Sequence, residues 1–217
     1  MKNFCLAMGL AFVLPRATPG QIQYRVGGSF GRTLGGVTEQ AEAVYGAEFS
    51  VRPNDRFAVE LAVLQFMDHP EEERLGVYVT AALPITPVHL SVRYAGWALG
   101  PSLRAYALAG IGSYLCGDTD FEISGLRPGG PVTQTGELRV HRKDAWGYHL
   151  AVGAEWALSD SFAALVEYRY ARMWSDAEIS GLSADRADGQ MAIDAFEKDF
   201  WDNNEVGILR VGLNWAL

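Results

Sequence analysis

The stretch Asp144–Trp174, DAWGYHLAVGAEWALSDSFAALVEYRYARMW, decides the fold. Tyr148, Leu150, Val152, Ala154, Trp156 and Leu158 recur at every second position. Phe162, Ala164, Val166, Tyr168 and Tyr170 do the same after Ser159-Asp160-Ser161. A period of two marks a strand, because successive side chains point to opposite faces. The pattern predicts one long β-hairpin with an apolar, aromatic-ended face. The other face is small or charged: His149, Ala151, Gly153, Glu155 and Ala157 going in, then Ala163, Leu165, Glu167, Arg169 and Ala171 coming back. Strands of soluble sandwiches run to about five or six residues. Strands of about ten, with aromatics at both ends of the apolar face, suit a barrel whose outside meets lipid.

Composition agrees. The chain has 217 residues, 49% of them hydrophobic, with a mean hydropathy of +0.01. That is too polar for a bundle of membrane helices, and no run approaches the roughly 20 apolar residues a helical span needs. A net charge of −8 argues against a nucleic-acid partner, since phosphates would go unneutralised. Lys2 followed by the apolar run Phe4–Leu14 reads as a signal peptide over residues 1–20, cleaved near Thr18-Pro19-Gly20. A buried N-terminal helix is the alternative. Removal of the peptide takes Cys5 away, so Cys116 has no partner for an intramolecular disulfide.

Residues 21–217 then read as one barrel. Ile22, Tyr24, Val26, Gly28 and Phe30 face out, and Arg25, Gly27, Ser29 and Gly31 face in. A loop follows at Thr33–Gln40. Ala43–Arg52 repeats the pattern with Glu48 and Arg52 inside, and Pro53-Asn54-Asp55 turns the chain. The third strand sets Phe57, Val59, Leu61 and Val63 against Ala58, Glu60 and Ala62. Asp68–Arg74 reads as an acidic loop. Pro84 and Pro87 break the next strand-like run, so the fourth strand is expected from near Ile85, with His89, Ser91 and Arg93 inward. After a turn at Leu99–Ser102, the fifth strand (Leu103–Tyr114) places Arg104, Tyr106, Leu108, Gly110 and Gly112 inside. Asp118–Lys143 reads as a long polar loop and Ser175–Asn204 as an acidic one with a short helix around Gln190–Phe200. The last strand runs to the C-terminus with Arg210 inside. The expectation is all-β: an eight-stranded antiparallel up-and-down transmembrane barrel with short turns on one side and long loops on the other.

Three segments carry a family resemblance: Arg104-Ala-Tyr-Ala-Leu-Ala-Gly-Ile-Gly-Ser-Tyr114, Gly147-Tyr-His-Leu-Ala-Val-Gly-Ala-Glu-Trp156 and Glu167-Tyr-Arg-Tyr170. In them the chain resembles the small eight-stranded outer-membrane barrels of the OmpA/OmpW-like type, over roughly residues 22–217. Leu108 stands where that family usually has glycine. Val211, Leu213, Trp215 and Leu217 are similar to the C-terminal signal read by the barrel-assembly machinery, ending in Leu where Phe is commoner. The resemblance implies a monomer in the cell outer membrane, with lipid, lipopolysaccharide and the assembly machinery as partners.

The lumen is expected to collect Arg25, Arg52, Arg93, Arg104, Arg169 and Arg210 with Glu48, Glu60, Glu155 and Glu167. Eight strands leave an interior only wide enough for side chains, and unpaired buried ions cost several kcal/mol. A plugging ion-pair network with a structural or surface-interaction role is therefore the first reading. A narrow channel for small solutes or ions is the second. A hydrolase is the third: His89 and Ser91 share a face with Glu60 near, and lipid A deacylase-type barrels resemble this in their His-x-Ser spacing. Asp176, Glu178, Asp185, Asp188, Asp194, Glu197, Asp199 and Asp202 fit no calcium-loop spacing. His141 and His149 have no ligand spacing with a cysteine, so neither metal nor cofactor is implied. Trp97, Trp146, Trp156, Trp174, Trp201 and Trp215 read mostly as girdle anchors.

Overall fold

The computed structural model describes residues 22–36, 41–68, 71–74, 77–80, 83–125, 134–142, 144–174, 177–180 and 205–217. The signal peptide, the helix expected near 190–200, Trp201 and the loop acids other than Glu178 lie outside the described residues. Thirteen strands run in chain order: β1 (Gln23–Gly36), β2 (Ala43–Arg52), β3 (Phe57–Asp68), β4 (Glu71–Arg74), β5 (Val77–Thr80), β6 (Leu83–Ala98), β7 (Leu103–Cys116), β8 (Asp118–Gly125), β9 (Gln134–Arg142), β10 (Ala145–Ala157), β11 (Phe162–Trp174), β12 (Ala177–Ser180) and β13 (Glu205–Ala216). Eight of them close into a barrel in the order β1-β13-β11-β10-β7-β6-β3-β2, every pair antiparallel. Each barrel strand pairs with the barrel strands before and after it, and β13 returns to β1: an up-and-down closure that leaves no edge.

The hairpin pairs from Trp146 opposite Trp174 to Ala157 opposite Ala163. Its two strands have 13 residues each, above the roughly 9–11 that a tilted transmembrane strand needs. Local chemistry makes the short turns. The Asn54 side-chain carbonyl accepts from the Arg56 and Phe57 amides, both at 2.9 Å. Ser159 Oγ accepts from the Phe162 amide at 3.1 Å. Both are side-chain substitutes for a turn hydrogen bond.

Alternation holds all round the barrel. Leu61, Leu90, Val92, Ile111, Leu150, Val152, Val166 and Val211 are exposed on the outer face. Aromatic pairs ring both ends of this band: Phe57–Tyr94, Tyr94–Trp97 and Phe162–Trp215 toward the turns, Phe30–Tyr45 and Tyr148–Trp174 toward the loops. An apolar belt between aromatic girdles is the outside of a membrane barrel.

Three expectations need correction. First, β6 begins at Leu83 and runs through both prolines. Pro87 has no N–H to donate, and the β3–β6 ladder skips Thr86 and Pro87 between its pairs at Val88 and Ile85. The strand tolerates the gap because its other edge still pairs, Pro87 opposite Tyr114. Second, β1 continues to Gly36, past the expected loop start, with a register shift between Thr33 and Gly36. Third, Asp68–Arg74, Asp118–Lys143 and Ser175–Asn204 are not plain loops, each contributing at least one strand. Beyond the barrel, β12-β9-β8-β5-β4 form a five-stranded sheet on the loop side. Its central pairing sets Thr119 opposite Val140 and Phe121 opposite Leu138. Phe121 and Ile123 alternate with charged or polar neighbours, as do Leu138 and Val140, which is strand patterning inside segments whose charge suggested coil.

Candidate functional site: the lumen

The inward residues stack in layers from the turn end to the loop end. Nearest the turns, Glu155 on β10 receives three arginines. Arg25 Nη1 lies at 2.9 Å, Arg52 Nη2 at 2.6 Å and Arg93 Nη2 at 2.6 Å from its carboxylate. These arginines come from β1, β2 and β6, none a neighbour of β10, so the contacts run across the lumen rather than along the wall.

The next layer is centred on Glu167. Its Oε1 accepts from Arg169 Nε at 2.9 Å and Arg210 Nε at 2.8 Å. Its Oε2 accepts from the Tyr106 hydroxyl at 3.0 Å. Arg210 continues to Glu48 at 2.8 Å and to Ser29 Oγ at 3.1 Å, and Arg169 continues to Glu60 at 3.0 Å. Arg169 is 0% exposed, and Arg210, Glu60 and Glu167 are each 1% exposed, so pairing here offsets a large desolvation penalty. Arg93 lies 3.5 Å over the Tyr106 ring and joins the two charged layers. Glycine makes the room. A Cβ at Gly153 would collide with the Tyr106 ring, and one at Gly31 with Arg210.

Above the charges sits a histidine layer. Arg169 Nη1 donates to His89 Nδ1 at 2.8 Å, and His89 Nε2 lies 3.2 Å from the Tyr114 hydroxyl. A guanidinium only donates, so Nδ1 is the acceptor and Nε2 carries the hydrogen. His89 stacks on His149 with centroids 4.1 Å apart. His149 Nε2 is 2.7 Å from Ser91 Oγ. Toward the loops the lumen turns apolar: Val44, Leu64, Phe66, Ile85, Tyr114, Ala145, Ala171, Met173, Val206 and Ile208 pack into one cluster.

Nine of the ten expected lumen residues meet in these two charged layers. Arg104 does not. Its side chain is exposed at the rim, where Nη1 reaches the Asp55 carbonyl at 3.4 Å. Parity chose the correct face, but β7 enters the lumen only after this position, its first buried inward residue being Tyr106. The His89–Ser91–Glu60 set does not assemble either: Ser91 bonds His149, His89 bonds Arg169 and Tyr114, and Glu60 is held by arginines. Ser91 is 1% exposed and His149 0%, which leaves an acyl chain no approach. Sequence reading gave Tyr106, Tyr114, Ser29 and His149 no role in this arrangement. Their only signal in the sequence was inward parity. Of the C-terminal set, Val211 and Leu213 face outward, Trp215 stacks on Phe162, and the Leu217 amide donates to the Tyr24 carbonyl at 2.9 Å.

Solved structures share this architecture. OprG from Pseudomonas aeruginosa is 14% identical with a TM-score of 0.59, covering 92% of this chain and 97% of its own. A major outer membrane protein from Thermus thermophilus is 12% identical, TM-score 0.57, covering 91% and 100%. Neisserial surface protein A is 9% identical, TM-score 0.51, covering 89% and 96%. At these identities the likeness is one of fold. No curated protein matches the sequence. The family model of the outer membrane protein beta-barrel domain matches residues 4–194, and the chain, with its lipid-facing closed barrel, belongs to that family and resides in the outer membrane.

Proposed function

We propose that this barrel serves a structural or surface-interaction role, its lumen closed by side chains rather than open to solute flow. The carrying observation is the packing of side chains from Glu155 to the Leu64–Met173 cluster, with Arg52 and Arg93 paired across the lumen to Glu155 and Arg169 to Glu60. The five-stranded sheet beyond the barrel supports the surface role, since it extends paired strands on the loop side. Outer-membrane lipid and lipopolysaccharide would be the partners of the outer face, and the barrel-assembly machinery that of Val211, Leu213, Trp215 and Leu217, the barrel working as a monomer. Liposome swelling tests closure: vesicles carrying the protein should swell no faster in small sugars than empty ones. Swelling at porin-like rates would favour the channel reading instead. For the assembly signal, Trp215→Asp should lower the fraction of heat-modifiable barrel in the membrane pellet.

A further inference from the structure

His89 joins the two halves of the lumen. On one side its Nδ1 accepts from Arg169 Nη1 at 2.8 Å, and Arg169 in turn holds Glu167 at 2.9 Å and Glu60 at 3.0 Å. On the other side its Nε2 lies 3.2 Å from the hydroxyl of Tyr114, a member of the apolar cluster. His149 stacks on it, with ring centroids 4.1 Å apart and planes inclined by 21°. Both imidazoles are buried.

This arrangement holds His89 only as the neutral ring. A guanidinium has no acceptor, so the Nδ1 facing it must be bare. A second proton on His89 would remove the acceptor from Arg169 and set an imidazolium against a guanidinium in the same contact. A cationic His149 would add a like charge on the stacked ring, and its Nδ1 has no partner among the described residues. The charged and titratable groups around the pair are Arg169 and Glu167 from β11, Arg210 from β13, Glu60 from β3 and Tyr114 from β7. Glu60 and Glu167 are the carboxylates of this set, and Arg169 and Arg210 hold both. An imidazolium must take a carboxylate from an arginine or leave its place. Either movement breaks the chain Arg169–His89–Tyr114 and unseats a residue of the apolar seal.

We propose that the stacked pair is an acid-operated latch: neutral, it ties the charged half of the lumen to the apolar seal, and protonated, it lets go and opens the lumen to small ions. Histidine is the side chain whose charge changes near neutrality, and buried pairs of this kind bias two-state elements. The latch rests on the closed-lumen reading at neutral pH.

The test records ion currents through planar bilayers holding the full chain, at about pH 7.5 and about pH 5, either side of the imidazole's ordinary value of about 6.5. The current should rise reversibly by about tenfold or more on the acid side, the bias that one proton exerts over one pH unit. His89→Gln keeps an acceptor for Arg169 but gains no charge, and should flatten the step. Imidazole nitrogen resonances of the wild-type barrel in micelles give a second reading that does not depend on how the variant folds. His89 should pass from one bare nitrogen to two protonated ones over the pH interval of the step. Current present on the neutral side but rising with acid would contradict the closed lumen and keep the latch. Currents that do not change with pH would overturn the latch, whether low, which keeps the closed lumen, or high, which contradicts it too. A step that survives in folded His89→Gln, or that occurs while His89 stays neutral, would also overturn the latch.

Discussion

The turn-end half of the lumen is filled with ions and the loop-end half with hydrocarbon, inside one wall of the same eight strands. Apolar filling is tolerant, because Leu64, Phe66, Ile85 and Met173 would pack in many arrangements of similar volume. Ionic filling is not. Glu155 needs β1, β2 and β6 opposite it, and Arg210 needs Glu48 on β2 as well as Glu167 on β11. A slip of any one of these strands by one residue would turn that strand's charges toward lipid and leave their partners unpaired. On the proposed closed-lumen reading, the charged half specifies closure and register and the apolar half seals the loop end.

Breaking the charged half should have the larger effect. Glu155→Gln leaves three arginines around a neutral amide, and removing one partner of a buried ion network costs about 3–5 kcal/mol. The urea midpoint of the refolded barrel should fall accordingly. Leu64→Ala, in the apolar half, should cost about 3 kcal/mol through lost burial and a residual cavity. It should leave the charged layers' arginine resonances where they were. A fall larger than that for Glu155→Gln would reverse the ranking of the two halves.

The boundary layer should respond less. Ser91→Ala removes one hydrogen bond to His149 and should cost about 1 kcal/mol, with lipid A from expressing cells unaltered by mass spectrometry. A change in lipid A would revive the hydrolase reading. Smallest of all, Arg104→Gln at the exposed rim should shift stability by under about 0.5 kcal/mol. A multi-kcal/mol loss there would mean that the rim belongs to the network after all.

What was legible in the sequence follows from the same geometry. Period two fixes which face a residue takes, so Arg25, Glu48, Glu60, Glu155, Glu167 and Arg210 could be assigned inward before any strand was paired. Parity says nothing of depth, which is why Arg104 joined the expected network and does not touch it. Nor does it give the register between strands. Ser91 and His149 meet because both sit opposite Gly110 on the strand between them, whose missing Cβ leaves room for the imidazole. Nothing within β6 or β10 alone encodes that row. The strands beyond the barrel were hidden for another reason. Charged residues flank their alternating apolar positions, and Pro128-Gly129-Gly130-Pro131 draws the eye to a loop.

The central claim is that the lumen is a packed interior and not a water-filled pore, and a double-mutant cycle on Glu167 and Arg210 tests it most directly. Unfolding free energies of Glu167→Gln, Arg210→Gln and the double variant give the coupling of a pair whose nitrogen and oxygen lie 2.8 Å apart. In a dry interior the coupling should reach about 2–3 kcal/mol or more, the range of desolvated charge pairs. A coupling below about 1 kcal/mol, the value of solvent-exposed pairs, would mean that water reaches these charges and that the lumen is open.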